Sequence, residues 1–456
     1  MHGFPENPYL CVSMEIALHG HYGYRRLTVS AVPCILMMLV EGLYCLVDGL
    51  FVSNFVGTSA FAALNIIWPA VMLVGALGLM VGTGGSALVS KTMGEGDMDR
   101  AEAIFSMLVR FTVILSLVFM VPLLVFMEPL ARLLGAEGET VRLCVVYGSI
   151  CTLGLPTYML QLCFQSFYMT AERPQLGTVM SMVGAVTNLV LDALFVVAFR
   201  WGLAGAAAAT MLASGVSGIF PLWYFSSRRN RSSLRLIRSG MERKPLLQAC
   251  SNGFSEYVGS ISWNILAICY NLQLIRLMGE NGVAAYAVLL YYGYLFASVF
   301  FGFNITVTPI IGYHYGAGDK AELRSLLRHS AILLFALGFL MTLISELSAG
   351  PAARLFVGYD PELSALTKYA IRLYMLSFFI AGFNLFVSAW FTGLGNGKVS
   401  AVVAFVRNLV FELGFVFLLP ALLGPNAIWL AVDAADLCCL LLGVTLLLAF
   451  RRRYGY

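Results

Sequence analysis

Long apolar stretches alternate with short polar connectors along almost the whole chain. Each stretch is close to the roughly 20 residues that cross a bilayer as a helix. Twelve are predicted: about 27–52, 59–86, 103–127, 143–166, 175–199, 202–225, 248–275, 283–311, 330–348, 373–393, 399–423 and 427–450. The ninth is the weakest. Pro33, Pro69, Pro122, Pro156, Pro221 and Pro309 fall inside spans, where a missing N–H predicts local kinks.

The pattern also repeats. Asn188-Leu189-Val190-Leu191-Asp192 returns as Asn408-Leu409-Val410-Phe411-Glu412, 220 residues on. Ala62-Ala63 returns as Ala284-Ala285, Gly94-Glu95-Gly96-Asp97 as Gly316-Ala317-Gly318-Asp319, and Thr170 as Thr392, each after 222. Six spans per half keep both halves in one orientation, a parallel repeat with its pseudo-axis along the membrane normal. The fold class is therefore an all-α integral membrane protein, with twelve transmembrane helices in two pseudo-symmetric six-helix bundles around a central cleft. The expected division is a cytoplasmic N-terminal segment 1–26, a bundle 27–225, a basic linker 226–247, a bundle 248–450 and a tail 451–456.

Composition agrees. Of 456 residues 60% are hydrophobic and only 11% charged, with mean hydropathy +0.84; soluble domains carry roughly 25% charged residues. Basic residues set the orientation. Nineteen of the 28 lie on the side bearing both termini, seven on the other, and Arg110 and Arg407 within spans. Both termini are thus expected in the cytoplasm. The net charge of +4 mostly reflects this bias and implies no nucleic-acid partner. The ten cysteines form no CxxC or Cys/His pair and read as small buried hydrophobes. Residues 1–26 lack the pattern of a cleavable signal, and Met14 is an alternative start to Met1.

Candidate chemistry lies in the acids that interrupt the apolar runs: Glu41, Asp48, Asp192, Glu256, Glu412, Asp433 and Asp436. Glu346 sits at the outer edge of the ninth span. At mid-helix each costs about 2.5–3.5 kcal/mol on insertion scales, so each needs a partner, a cavity or water. Counted from the outer helix ends, Asp48, Asp192 and Thr210 fall at one depth, and Asn188 shares a helix face with Asp192 as its i,i+4 neighbour. Two carboxylates, an amide oxygen and a hydroxyl suit a hard cation such as Na⁺, or a proton shared between the acids. An interhelical hydrogen-bond network is the plainer alternative. Glu41, seven residues before Asp48, and Glu256 in the inner half of the seventh span are candidates for a second acidic site. Arg407, a weaker candidate with Glu412, Asp433 and Asp436, is expected to neutralise one of those three acids. Arg110 is expected to reach the cytoplasmic surface. All five histidines lie outside the spans. Trp68, Tyr158, Tyr292 and Phe296 are candidate cavity walls for flat cations.

The repeat is uneven where charge matters: Asp48 corresponds to Tyr270 or Asn271, and Thr210 to Val432 beside Asp433. The stretches GLYCLVDGLFVSNFVGTSAFAALNIIWP, MVGTGGSALVSKTMGEGDMDRA, TNLVLDALFVVAFRWGLAGAAAAT and VTPIIGYHYGAGDKAELRS resemble the MATE (multidrug and toxic compound extrusion) family over about residues 25–450. The resemblance implies an antiporter exporting organic, mostly cationic compounds against Na⁺ or H⁺, with Asp48, Asn188, Asp192 and Thr210 at the coupling site. It also matches Glu256 to an acid that some members use. AERPQLG departs from the usual Arg-x-Gly turn, and WLAVDAAD carries Asp433 in a stretch where many members have a proline. A monomer in the cell membrane is expected, in contact with lipid and small organic cations, with no cofactor beyond the coupling ion. The nearest alternative, a lipid-linked saccharide flippase, would call for a more cationic cavity than these acids provide. A membrane enzyme would call for an Asp-rich metal motif or a His/Asp dyad, and neither is present.

Overall fold

The computed structural model describes residues 16–456, so the two candidate start residues, Met1 and Met14, lie outside it. The helices are α1 (Tyr24–Phe51), α2 (Thr58–Gly94), α3 (Met98–Val125), α4 (Met127–Leu133), α5 (Glu139–Leu153), α6 (Leu155–Thr170), α7 (Pro174–Asp192) and α8 (Gly202–Ser226). After a linker come α9 (Arg243–Gly316), α10 (Lys320–Val357), α11 (Pro361–Tyr374), α12 (Phe378–Gly393), α13 (Gly397–Phe405), α14 (Leu413–Leu423) and α15 (Ala431–Tyr454). Among the described residues ten helical stretches are long and apolar enough to cross a membrane, or eleven with the bent pair α5–α6 counted as one. One of them, α9, is two spans that meet at Gly279, where φ is +67°. That restores the twelve.

Three boundaries differ from the sequence expectation. The fourth span is not one rod: α5 and α6 meet at 57°, where Gly154 lies against the Met211 side chain and Pro156 opens α6. The tenth begins at Pro361, with α11 and α12 joined by a 3₁₀ turn, Met375–Ser377. Lys368 and Arg372 had hidden its outer third. The ninth, the weakest in sequence, is a continuous 38-residue helix.

The duplicated signatures perform duplicated work. Asp97 and Asp319 each cap the helix that follows by accepting from a backbone N–H, of Arg100 and Glu322 respectively, both at 3.0 Å. The glycines before them close the two bundles on each other. A Cβ on Gly94 would meet the carbonyl carbon of Tyr313 at 2.8 Å, and one on Gly316 would meet that of Lys91 at 2.8 Å. These two contacts are related by the 222-residue repeat, so the pseudo-axis passes between them. On the same face Gly84 of α2 approaches Ala249 and Gly253 of α9, and Gly302 approaches Ile35 of α1.

A strap seals that face further. Leu18 and Tyr22 are fully buried. The Leu18 N–H donates to Glu172 of the first bundle at 2.7 Å. The Tyr22 N–H donates to Glu322 of the second at 2.7 Å, and His21 Nδ1 pairs with the same carboxylate at 2.7 Å. The linker lies against this face too: Arg100 holds Glu242 through both guanidinium nitrogens at 2.5 and 2.6 Å. As expected for a residue at the surface, Arg110 donates to Ser239.

Candidate functional site: paired acids in the first bundle

Two of the three helices that carry the expected coupling residues depart from α geometry beside them. α1 passes into a π-helical turn at Val52–Val56, four residues after Asp48, and α7 passes into another at Ala193–Ala198, immediately after Asp192. Such turns leave backbone carbonyls without their usual i→i+4 partners and are frequent at functional sites.

The structure brings the four residues together. The Asp48 carboxylate lies within hydrogen-bonding reach of Asp192, Thr210 and Asn188. Asn188 Nδ2 donates to Thr210 Oγ1 at 3.4 Å, and Thr210 Oγ1 donates to the Ala206 carbonyl at 3.0 Å. Asp192 is fully buried, Asn188 and Thr210 nearly so. Yet among the described residues Asp48 Oδ1 and both Asp192 oxygens have no donor. Two carboxylates in contact supply only acceptors, so the pair is satisfied when one acid carries a proton or when a cation sits among the oxygens. The all-oxygen set fits either occupant.

Glu41 lines a small cavity with Tyr44, Gln161, Gly184, Thr210 and Ser214, which puts it on the wall of the coupling cluster. Its carboxylate accepts from Gln161 at 3.3 Å and from Gln165. These glutamines were not singled out from sequence; their i,i+4 spacing in YMLQLCFQSF was the available signal. Glu256 is on α9. It stands three residues along α9 from Gly253, which packs on α2, and among the described residues no hydrogen bond or ion pair links it to Glu41, Asp48 or Asp192.

In the second bundle Arg407 takes Asp436 as its partner, with Nε–Oδ1 at 2.6 Å and Nη2–Oδ2 at 3.3 Å. Glu346 pairs with Arg372 at 3.3 Å, as an acid at the outer edge would. The aromatic wall needs correction. Tyr158, Tyr292 and Phe296 are buried in bundle packing: Tyr158 lies over Gly75 beside Trp68, and Tyr292 packs on Phe296 at 4.8 Å and bonds Ser348 at 2.6 Å. Large rings at helical spacing were taken up by the core, the commoner fate of aromatics.

The fold and its paired intramembrane acids define the class: a multi-pass membrane carrier built from two related bundles. The chain belongs to the MatE family, whose model matches residues 33–194 and again 257–418, once in each bundle. It is similar to the multidrug export protein MepA of Staphylococcus saprophyticus, 21% identical over 411 residues and 90% of each chain. MepA of Staphylococcus haemolyticus is 20% identical over 93% of each. Among solved structures, an outward-facing multidrug-resistance MATE transporter superposes with TM-score 0.90 at 23% identity, covering 97% of this chain and 98% of that one. A transporter from Pyrococcus furiosus, described as having a binding pocket of reversed polarity, superposes with TM-score 0.89 at 22% identity over 97% and 98%.

Proposed function

We propose that the protein is a secondary active antiporter that exports organic, mostly cationic compounds in exchange for Na⁺ or H⁺ by alternating access. The observation that carries this reading is the pair Asp48–Asp192, in which Asp48 Oδ1 and both Asp192 oxygens have no hydrogen-bond partner among the described residues. Asp48, Asn188, Asp192 and Thr210 would hold the coupling ion, which supplies the positive charge those oxygens lack. With the pair neutralised, the outward half of the first bundle packs tightly and cargo leaves; with the pair charged, the site favours a cationic cargo. Cation and cargo thus bind antagonistically, through different preferences for two states of one bundle. Glu41, on the same cavity, would extend the acidic surface. The excess of basic residues supports a cytoplasmic side for the termini, the strap and the 226–247 linker, and the chain would work as a monomer in the plasma membrane.

The test is ethidium transport in proteoliposomes with sodium and proton gradients imposed separately. At least one of the two gradients, imposed alone, should drive transport by the wild type and so name the coupling ion, and Asp48→Asn should abolish that transport while leaving the protein folded. Gradient-driven transport at the wild-type rate in Asp48→Asn would overturn the mechanism. The flippase reading calls for a more cationic cavity, and Arg407, a guanidinium within the second bundle, is already tied to Asp436.

A further inference from the structure

Two segments of the chain reach from one bundle to the other on the termini-bearing face, and both end on the same repeat position. Arg100 and Glu322 stand 222 residues apart, each the third residue of the helix that follows a Gly-x-Gly-Asp turn. Arg100, in the first bundle, holds Glu242, the residue just before α9 of the second. Glu322, in the second bundle, holds the residues just before α1 of the first. One of its oxygens pairs with His21 Nδ1 at 2.7 Å and the other accepts the Tyr22 N–H at 2.7 Å. The charge is reversed between the two positions, so each takes only its own segment.

The two crossings differ in strength. Arg100 and Glu242 are both exposed, and an exposed ion pair contributes little. The strap is more firmly built, as a hook on the first bundle. Arg26 of α1 donates from Nη2 to the Ala17 and His19 carbonyls, both at 2.8 Å, and its guanidinium lies over the Tyr22 ring at 4.2 Å. The Tyr22 hydroxyl donates to the Ala17 carbonyl at 2.7 Å, and the Leu18 N–H to Glu172. From this base the strap meets the second bundle at Glu322, at His329, whose Nδ1 is 3.0 Å from the Tyr22 carbonyl oxygen, and at His314, whose ring stands edge-on to Tyr22 at 6.4 Å. Tyr22 is two residues from the first residue of α1. These contacts therefore cannot follow a departing second bundle unless α1 unwinds. Glu322 is buried while it is held; once the bundles part, water replaces its two donors, so release strands no charge.

We propose that the strap is a hook which fastens the two bundles in the state where the termini-bearing face is closed, and which must leave Glu322 each time that face opens. The proposal rests on the alternating-access reading and adds to it a fastening that lies away from the coupling acids. The hook stays with one bundle and its catch with the other, so their bonds exist in one state and weigh on that state alone. A hydrogen bond to a charged group favours the state that holds it by about ten- to hundredfold. Ions and cargo would then decide when the face opens, and the hook how firmly it stays shut between times.

The test has a releasing arm and a tying arm. Cys34 is buried on α1 within hydrogen-bonding reach of Thr306 on α9, so its thiol reports parting of the bundles. With Cys34 kept as the single cysteine, labelling by a water-soluble thiol reagent from the termini side should accelerate at least tenfold in Glu322→Ala. Cys144, buried inside the first bundle against the Ala63 carbonyl and kept alone in the same way, should label no faster. An unchanged Cys34 rate in the folded variant, or equal acceleration of both thiols, overturns the hook. Should Glu322→Ala not fold, Glu322→Gln, which keeps the shape and drops the charge, is read in the same way. For the tying arm, the His21 and His329 rings lie 6.1 Å apart. Joining His21→Cys to His329→Cys with a short cleavable bis-thiol reagent, in a cysteine-free background, should lower ethidium export at least tenfold, and cleavage should restore it. Export at the unlinked rate while the strap is tied overturns the hook. A cysteine-free parent that exports no ethidium counts instead against the antiporter reading, and the labelling arm still judges the hook.

Discussion

Gly94 and Gly316 set the separation of the two bundles on the termini-bearing face, and replacing both by alanine should open that face. Each new Cβ would stand 2.8 Å from a backbone carbonyl carbon of the opposite bundle, Tyr313 in one case and Lys91 in the other. Non-bonded carbons rest at about 3.5–4.0 Å, so the backbones must part by at least roughly 0.7–1.2 Å at both contacts, and further for the nearer carbonyl oxygens. Neither obstacle is the free end of a flexible side chain. Overpacking of this kind costs about 1–3 kcal/mol per site, hence roughly 2–6 kcal/mol for the pair, and it falls only on the state in which this face is closed. At about 1.4 kcal/mol per decade the closed state loses a factor of roughly 30 to 10⁴ relative to the open one. The assay is thiol labelling of Ser90→Cys in a cysteine-free background, because Ser90 is fully buried where Gly312 of α9 meets α2. Labelling from the termini side should accelerate by at least tenfold in Gly94→Ala/Gly316→Ala. Gly215→Ala, whose Cβ meets nothing within 4 Å, should leave it unchanged. An unaltered labelling rate in a folded double variant would refute the idea that these glycines hold the face shut.

Further outcomes follow from single contacts. Arg407→Met strands Asp436 without its counter-charge and should destabilise the protein by about 3–5 kcal/mol, while Arg407→Met/Asp436→Asn recovers most of it; equal melting temperatures for the single and double variants would exclude the pair as the cause. Burial pushes the Tyr22 hydroxyl from 10.0 up to about 12, so the folded strap keeps a proton that the unfolded chain releases. That contribution is complete below about pH 10 and disappears between about pH 10 and 12, and thermal melts of Tyr22→Phe should lack the loss. Glu242 is held below the usual carboxylate range by its hydrogen bonds to Arg100. Its contribution is therefore present above about pH 4.5 and fades on acidification below that; Glu242→Gln should remove this acid limb from the stability profile.

Much of the architecture was legible because the bilayer imposes a length and an apolar composition on each span. The repeat was legible because capping acids and close-approach glycines cannot be exchanged freely, so Gly94, Gly96 and Asp97 match Gly316, Gly318 and Asp319 in both spacing and identity. The coupling cluster was legible for a related reason. Asp48, Asn188, Asp192 and Thr210 are conspicuous in apolar surroundings, and rise per residue alone converts their positions into a common depth. What escaped were features decided by packing. The bend between α5 and α6 depends on Met211 filling the space beside Gly154, a contact with no trace in local sequence. The aromatics assigned to a cavity wall pack instead within the bundles, because nothing in periodicity separates a core ring from a cavity ring.

The two bundles show how duplication leaves a scaffold in place while its chemistry diverges. In each half an acid follows Asn-Leu-Val-x at the edge of a π-helical segment, so the geometry that exposes carbonyls and admits a buried charge persisted. The partners did not. In the first bundle two carboxylates face each other with a hydroxyl and an amide, and the deficit there is one positive charge. In the second a guanidinium has entered and been captured by Asp436, and a tyrosine occupies the place of the facing carboxylate. Exchanging Asp48 for tyrosine should therefore not convert the first site into a copy of the second, because the first bundle has no equivalent of Arg407. The position 220 residues before it is Thr187, an uncharged residue of α7 next to Asn188. Asp48→Tyr should leave Asp192 without a shared proton or cation and lose gradient-driven ethidium export, while Asp48→Tyr/Thr187→Arg should recover folding stability but not transport. Recovery of coupled transport in that double variant would show that the two sites differ only in residue identity, and that the asymmetry carries no function.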